Sequence, residues 1–235
     1  MSREDDRIGQ QELRYFGKVT ASISHELKNV LAILNEQAGL LRDYVAMAER
    51  GQPLDPARIG RLSATMAGQI GRGDSIIKRM NLFAHSVDQD SATVELDALV
   101  ALVVALFDRT ASTRGVSVEV QSAAEGVPIT TAPFVLETLL GYLLEQLTTT
   151  APTIKTIGIA VQADALCRIT LTGMAGHADA VNSILATDVL QVLLAVLQAS
   201  AGFDPTRGDV FITLPDTVAA QANDHRVKSI EGVKP

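Results

Sequence analysis

Phe16-Gly-Lys18-Val19-Thr-Ala-Ser22-Ile23-Ser-His25-Glu26-Leu27-Lys28-Asn29-Val30-Leu-Ala32-Ile-Leu34 is the stretch from which the fold is read. From Ile23 the apolar positions advance by four, three and four residues to Leu27, Val30 and Leu34, the seam of a coiled coil or four-helix bundle. No proline interrupts the chain from about Ile8 to Arg50, and Leu41 and Val45 continue the stripe. Gly51-Gln52-Pro53-Leu54-Asp55-Pro56 then reads as a stop followed by a new start, with Asp55 as cap and proline at the first helical position. A second helix is expected from about Pro56 to Ser86, with Ile59, Leu62, Met66, Ile70, Ile77, Met80 and Phe83 on its inner face. Two long helices on a short turn make an antiparallel hairpin. One hairpin cannot cover a stripe of this length on both helices, so two copies are expected to pair into a dimeric four-helix bundle.

After the polar stretch Ser86 to Ala92 the pattern changes. A helix from about Leu96 to Arg114 precedes the alternating run Val116 to Val120, and a second helix is expected from about Pro133 to Thr149. Thr156 to Gln162 and Leu166 to Thr172 alternate as neighbouring strands; a helix from about Asp179 to Ala201 and a strand Asp209 to Leu214 follow. The class is α+β: a helical hairpin over 1–90, then an α/β sandwich over 91–215 with helices on one face of a mixed sheet. Residues 216–235 lack periodicity and are expected to form a loose tail.

The formal net charge of −7, with no Lys/Arg cluster, weighs against nucleic acid as a partner. The longest apolar stretch, Leu96 to Phe107, is about half the roughly 20 residues a membrane span needs. The charged start Met1-Ser-Arg-Glu-Asp-Asp-Arg7 leads into no signal region, and a cytoplasmic protein is expected. Cys167 has no second cysteine to pair with and reads as core filler. Four scattered histidines offer no metal-ligand spacing, and His85 reads as a helix-end residue favoured by the dipole.

His25 lies two residues from both Ile23 and Leu27 and so must face away from the seam. Ser22, Asn29 and Ala32 share its outer face and are small enough to admit another protein, while Lys18 and Lys28 lie near enough to offset negative charge. Glu26 sits on the flank, where it can hydrogen-bond one ring nitrogen and sharpen the other as a nucleophile. Asn29, one turn on, could hold a water or a phosphoryl oxygen.

The string Ala21 to Ala32 resembles the H-box of two-component sensor histidine kinases, with Val30 where that family has proline. Arg79-Met-Asn-Leu-Phe-Ala-His-Ser86 is similar to the end of the family's second helix. The resemblance implies that His25 is the phosphoacceptor, Glu26 the assisting base and Asn29 the residue that orients water for dephosphorylation. It further implies response-regulator receiver domains, and an upstream kinase, as partners.

The family's ATP-binding helix resembles Phe134 to Gln146, but Tyr142 and Gln146 stand where asparagines are expected. In the loop Thr172-Gly-Met174-Ala-Gly176, threonine replaces the adenine-reading aspartate and methionine the first motif glycine; Thr187-Asp188 stands in the place of the Gly-rich phosphate loop. Together these losses would remove most of a micromolar affinity, which is only about 8 kcal/mol. The expectation is a histidine phosphotransferase on a degenerate kinase scaffold, with no cofactor of its own and Mg²⁺ supplied by the receiver. The alternatives are an active histidine kinase with a divergent nucleotide site and a non-catalytic dimeric adaptor that binds receivers.

Overall fold

The computed structural model describes residues 3–121, 126–163 and 166–215, and side-chain surroundings from residue 7 onward. The expected tail, 216–235, lies outside the described residues.

Helix α1 spans Arg3–Glu49, a rod of about 70 Å at 1.5 Å per residue. At its end Gly51 takes a φ of +83°, and the Gln52 amide reaches back to the Met47 carbonyl at 3.1 Å. Helix α2, Pro56–Val87, starts as the sequence indicates: Asp55 Oδ1 accepts from the Ala57 amide at 2.9 Å, with Pro56 in the first turn. The described residues divide into two compact units, one of Lys18–Leu82 and one of residues before Lys18 and after Leu82, so both helices run from one unit into the other.

In the Lys18–Leu82 unit, Val19, Ile23 and Val30 are buried from α1, and Leu62 and Ile76 from α2. Gly73 lies opposite Val30; a methyl on it would stand 3.5 Å from Val30 Cγ1, ordinary contact distance. The inner face of α2 therefore runs through Leu62, Gly73 and Ile76. Ile70 and Ile77, expected on that face, are 61% and 43% exposed, as their offset from this row places them on its flank.

The other unit holds α3 (Leu96–Arg114), α4 (Pro133–Thr150), α5 (Ala178–Leu185) and α6 (Asp188–Val196). Its sheet has β2 (Ser117–Gln121), β4 (Thr156–Ala163), β5 (Cys167–Thr172), β7 (Asp209–Leu214) and β6 (Ser200–Asp204), in that spatial order. Among the described residues only β2 and β4 pair in parallel. A separate two-stranded sheet pairs β1 (Ala92–Glu95) with β3 (Pro128–Thr131). Leucines of α4 from Leu136 to Leu147 pack with Leu96, Val100 and Val103 of α3 and with Ile157, Ile169 and Ile212 of the sheet. Cys167 is buried in the same core. Helix α3 ends at Gly115 with a φ of +67°, a left-handed turn that glycine adopts without cost.

The single helix expected over Asp179 to Ala201 is instead α5, α6 and the start of β6. Thr187 is extended, with φ −68° and ψ 136°, and its hydroxyl donates to the Ile184 carbonyl at 2.8 Å, competing with helix continuation. The two helices bend by 58° at this break. Gln198 at φ +50° then turns the chain into β6, which pairs with β7. Strands β1, β3 and β6 all go beyond the sequence reading.

Candidate functional site

His25 lies on the exposed side of α1, opposite buried Ile23 and Val30. Lys18, Lys28, Asn29 and Ala32 are exposed with it. Ser22 differs: it is half-buried, and its hydroxyl is buried with no hydrogen-bond partner among the described residues. It lines the base of this face rather than its open surface.

The side chain of Glu26 is 15% exposed and faces α2, where Arg79 Nη2 approaches Glu26 Oε2 at 3.4 Å. Among the described residues His25 has no hydrogen-bond partner, so the contact between its ring and Glu26 that the sequence allows is not made in this state. Arg79 is the residue sequence reasoning passed over. It lies within the Arg79 to Ser86 string already singled out, but its pairing depends on the register between the two helices. The site thus holds a solvent-facing imidazole, a carboxylate one residue on, a guanidinium that holds that carboxylate, an amide one turn away and two flanking ammonium groups.

Several residues of the second domain marked by the resemblance are taken up by contacts within the fold. The Tyr142 hydroxyl donates to Thr187 Oγ1 at 3.2 Å, tying α4 to the start of α6. Thr172 stands opposite Gly158 in the β4–β5 register, and its hydroxyl fills the space a side chain at Gly158 would need. Met174 is fully buried in the core, and its amide donates to the Gly208 carbonyl at 3.0 Å. Gly176 has a φ of +80° in the turn that follows, and Gln146 is half-buried on α4. Asp188, at the first position of α6, is held by Arg7 Nη1 at 2.8 Å.

No family model matches the chain, and no curated protein matches it. Solved structures do. The catalytic domain of histidine kinase ThkA aligns at 11% identity and a TM-score of 0.44, covering 55% of this chain and 99% of that one. Histidine kinase AdeS of Acinetobacter baumannii aligns at 13% identity and a TM-score of 0.40, over 82% of this chain and 98% of that one. Full-length ShkA, solved in complex with AMPPNP, aligns at 15% identity and a TM-score of 0.46, over 82% of this chain and 46% of its own length. Among the described residues, no single helix is long and apolar enough to cross a membrane.

Proposed function

We propose that the protein is a two-component phosphorelay member in which His25 takes a phosphoryl group from the aspartyl phosphate of a receiver domain and passes it to another receiver. The observation that carries this reading is the exposed His25 of a His-Glu-Leu-Lys-Asn string, with Glu26 anchored beside it. In the transfer, the lone pair of the outward ring nitrogen attacks phosphorus. The bond from phosphorus to the aspartyl oxygen breaks, and the receiver regains its carboxylate. The second ring nitrogen then carries the proton of a cationic imidazole, which Glu26 can accept as a hydrogen bond once it leaves Arg79. Lys18 and Lys28 offset the charge of the incoming group, and Asn29 stands where it can hold a phosphoryl oxygen or a water. Mg²⁺ belongs to the receiver in this scheme.

The same reading gives the second domain no ATP. Residue 172 supplies a hydroxyl instead of a carboxylate acceptor, and Met174 places a buried side chain where close backbone approach to a ligand needs glycine. Asp188 puts an anion at the helix start where a phosphate would sit. A second copy of the chain is assigned to the exposed apolar flank of the hairpin, making the working form a homodimer.

Incubation with a phosphorylated receiver tests the relay: the label moves to the wild-type chain and not to His25→Ala. Label retained by the receiver in both proteins, with stable binding, would make the chain an adaptor instead. Direct labelling of His25 by ATP would make it a kinase.

A further inference from the structure

Helix α4 is buried on nearly every side, and within it Glu137 is 2% exposed. The residues around Glu137 come from three helices of one compact unit. Phe134 lies one turn before it, and the rings of Tyr15 and Phe83 pack there, with Tyr15 set edge-on to Phe83 at 5.7 Å and Phe83 5.7 Å from Phe134. Phe16 stacks on the same Phe83 ring at 5.6 Å. Gly141, one turn after Glu137, leaves the room that the Tyr15 ring occupies.

Ser86 Oγ lies 2.8 Å from the Phe83 carbonyl and 2.8 Å from Glu137 Oε2. A hydroxyl has one hydrogen, and a carbonyl and an ionised carboxylate can only accept. With Glu137 neutral, its own O–H donates to Ser86 Oγ, Ser86 donates to Phe83, and both Ser86 contacts are satisfied. With Glu137 ionised, two acceptors compete for one hydrogen, and a buried anion faces aromatic rings with no ion-pair partner among the described residues.

We propose that Glu137, Ser86 and Tyr15 form a proton-operated clasp, closed while Glu137 is neutral and opened by its ionisation, that fastens the first turns of α1 and the end of α2 to α4. Burial raises the Glu137 carboxyl to about 8, against the weaker downward pull of the Ser86 hydrogen bond. Burial also holds the Tyr15 phenol well above its usual range, with Glu137 as the second cause, and its hydroxyl has no partner among the described residues. Nearby titratable groups on the same helices are Glu12 of α1, buried three residues before Tyr15, and His85 of α2, exposed beside Ser86. The buried residues of α3, α5 and α6 are all apolar. The clasp does not depend on phosphoryl transfer.

Amide hydrogen exchange of the full chain between about pH 6.5 and 9, corrected for intrinsic rates, tests it. Protection over residues 8–16 and 83–88 should fall at least about tenfold across that range, and by a larger factor than over Leu96–Arg114. In Glu137→Gln, whose amide donates to Ser86 Oγ at every pH, protection should stay high throughout. Glu12→Gln should keep the wild-type transition. Flat wild-type protection, a loss spread equally over α3, or a transition abolished by Glu12→Gln would overturn the clasp. The wild-type and Glu12→Gln measurements decide the matter even if Glu137→Gln does not fold.

Discussion

Glu26 has two suitable partners, the imidazole beside it and the guanidinium of Arg79 across the hairpin, and its carboxylate is with Arg79. Replacing Arg79 with alanine should free Glu26 for His25 and raise the share of the ring tautomer that donates to it. Nitrogen NMR of the imidazole reads this directly, and Arg79→Lys should keep the wild-type pattern; identical spectra in all three proteins would rule the arrangement out. Stability should change by less than about 1 kcal/mol, as for other partly exposed pairs. Glu137 predicts a larger effect. Its carboxyl moves from the ordinary 4.5 to about 8 on folding, so the folded chain binds a proton the unfolded chain has lost. Stability is therefore full below pH 4.5, declines as pH rises from there and levels off above 8, a loss on the order of 5 kcal/mol in all, and a thermal melting series should show that slope vanish in Glu137→Gln. His25 was legible in the sequence because helical spacing alone turns it from the seam. Arg79 and Glu137 were not, since their roles arise from contacts 53 and 51 positions away along the chain.

Among the elements, α3 and β7 start and stop at the residues the pattern indicates, because Gly115 closes one and tight alternation defines the other. The segment 179–201 misled because Val181, Leu185, Val189, Leu193 and Leu197 keep a helical rhythm across a break that only the local bonds of Thr187 reveal. Strand β6, Ser-Ala-Gly-Phe-Asp, is too short and too weakly alternating to stand out without its partner β7. Two glycines in helices separate packing from propensity. A methyl at Gly141 would run into the Tyr15 ring, so Gly141→Ala should cost about 1–3 kcal/mol and loosen residues 8–16. Gly60, in α2, has nothing within 4 Å of such a methyl, and Gly60→Ala should stabilise by about 0.5–1 kcal/mol through helix propensity. Chemical denaturation of the two variants checks both signs, and a Gly141→Ala as stable as wild type would show that the Tyr15 ring yields freely.

For the molecule as a whole, the order of hairpin then sandwich was readable because the period of the apolar pattern changes between Ser86 and Ala92. The partner that completes the hairpin was inferred there from a shortage of cover, and the exposed flank gives that inference residues. Ile70 and Ile77 lie seven apart on α2, and Leu41 and Val45 lie four apart on α1; all four remain exposed in the single chain. Burying one such side chain contributes about 1.5–3 kcal/mol, so a symmetric pairing that covers the flank in both copies gains enough to offset the entropy of association. Ile70→Glu with Ile77→Glu removes that gain twice and sets like charges against each other across the symmetry axis. In sedimentation equilibrium the wild type should therefore run as a dimer at micromolar concentration and the double variant as a monomer, with the helical circular dichroism signal largely kept. A monomeric wild type would remove the four-helix bundle, and a dimeric double variant would move the interface to another face; His25 would keep its exposed position on α1 in either outcome.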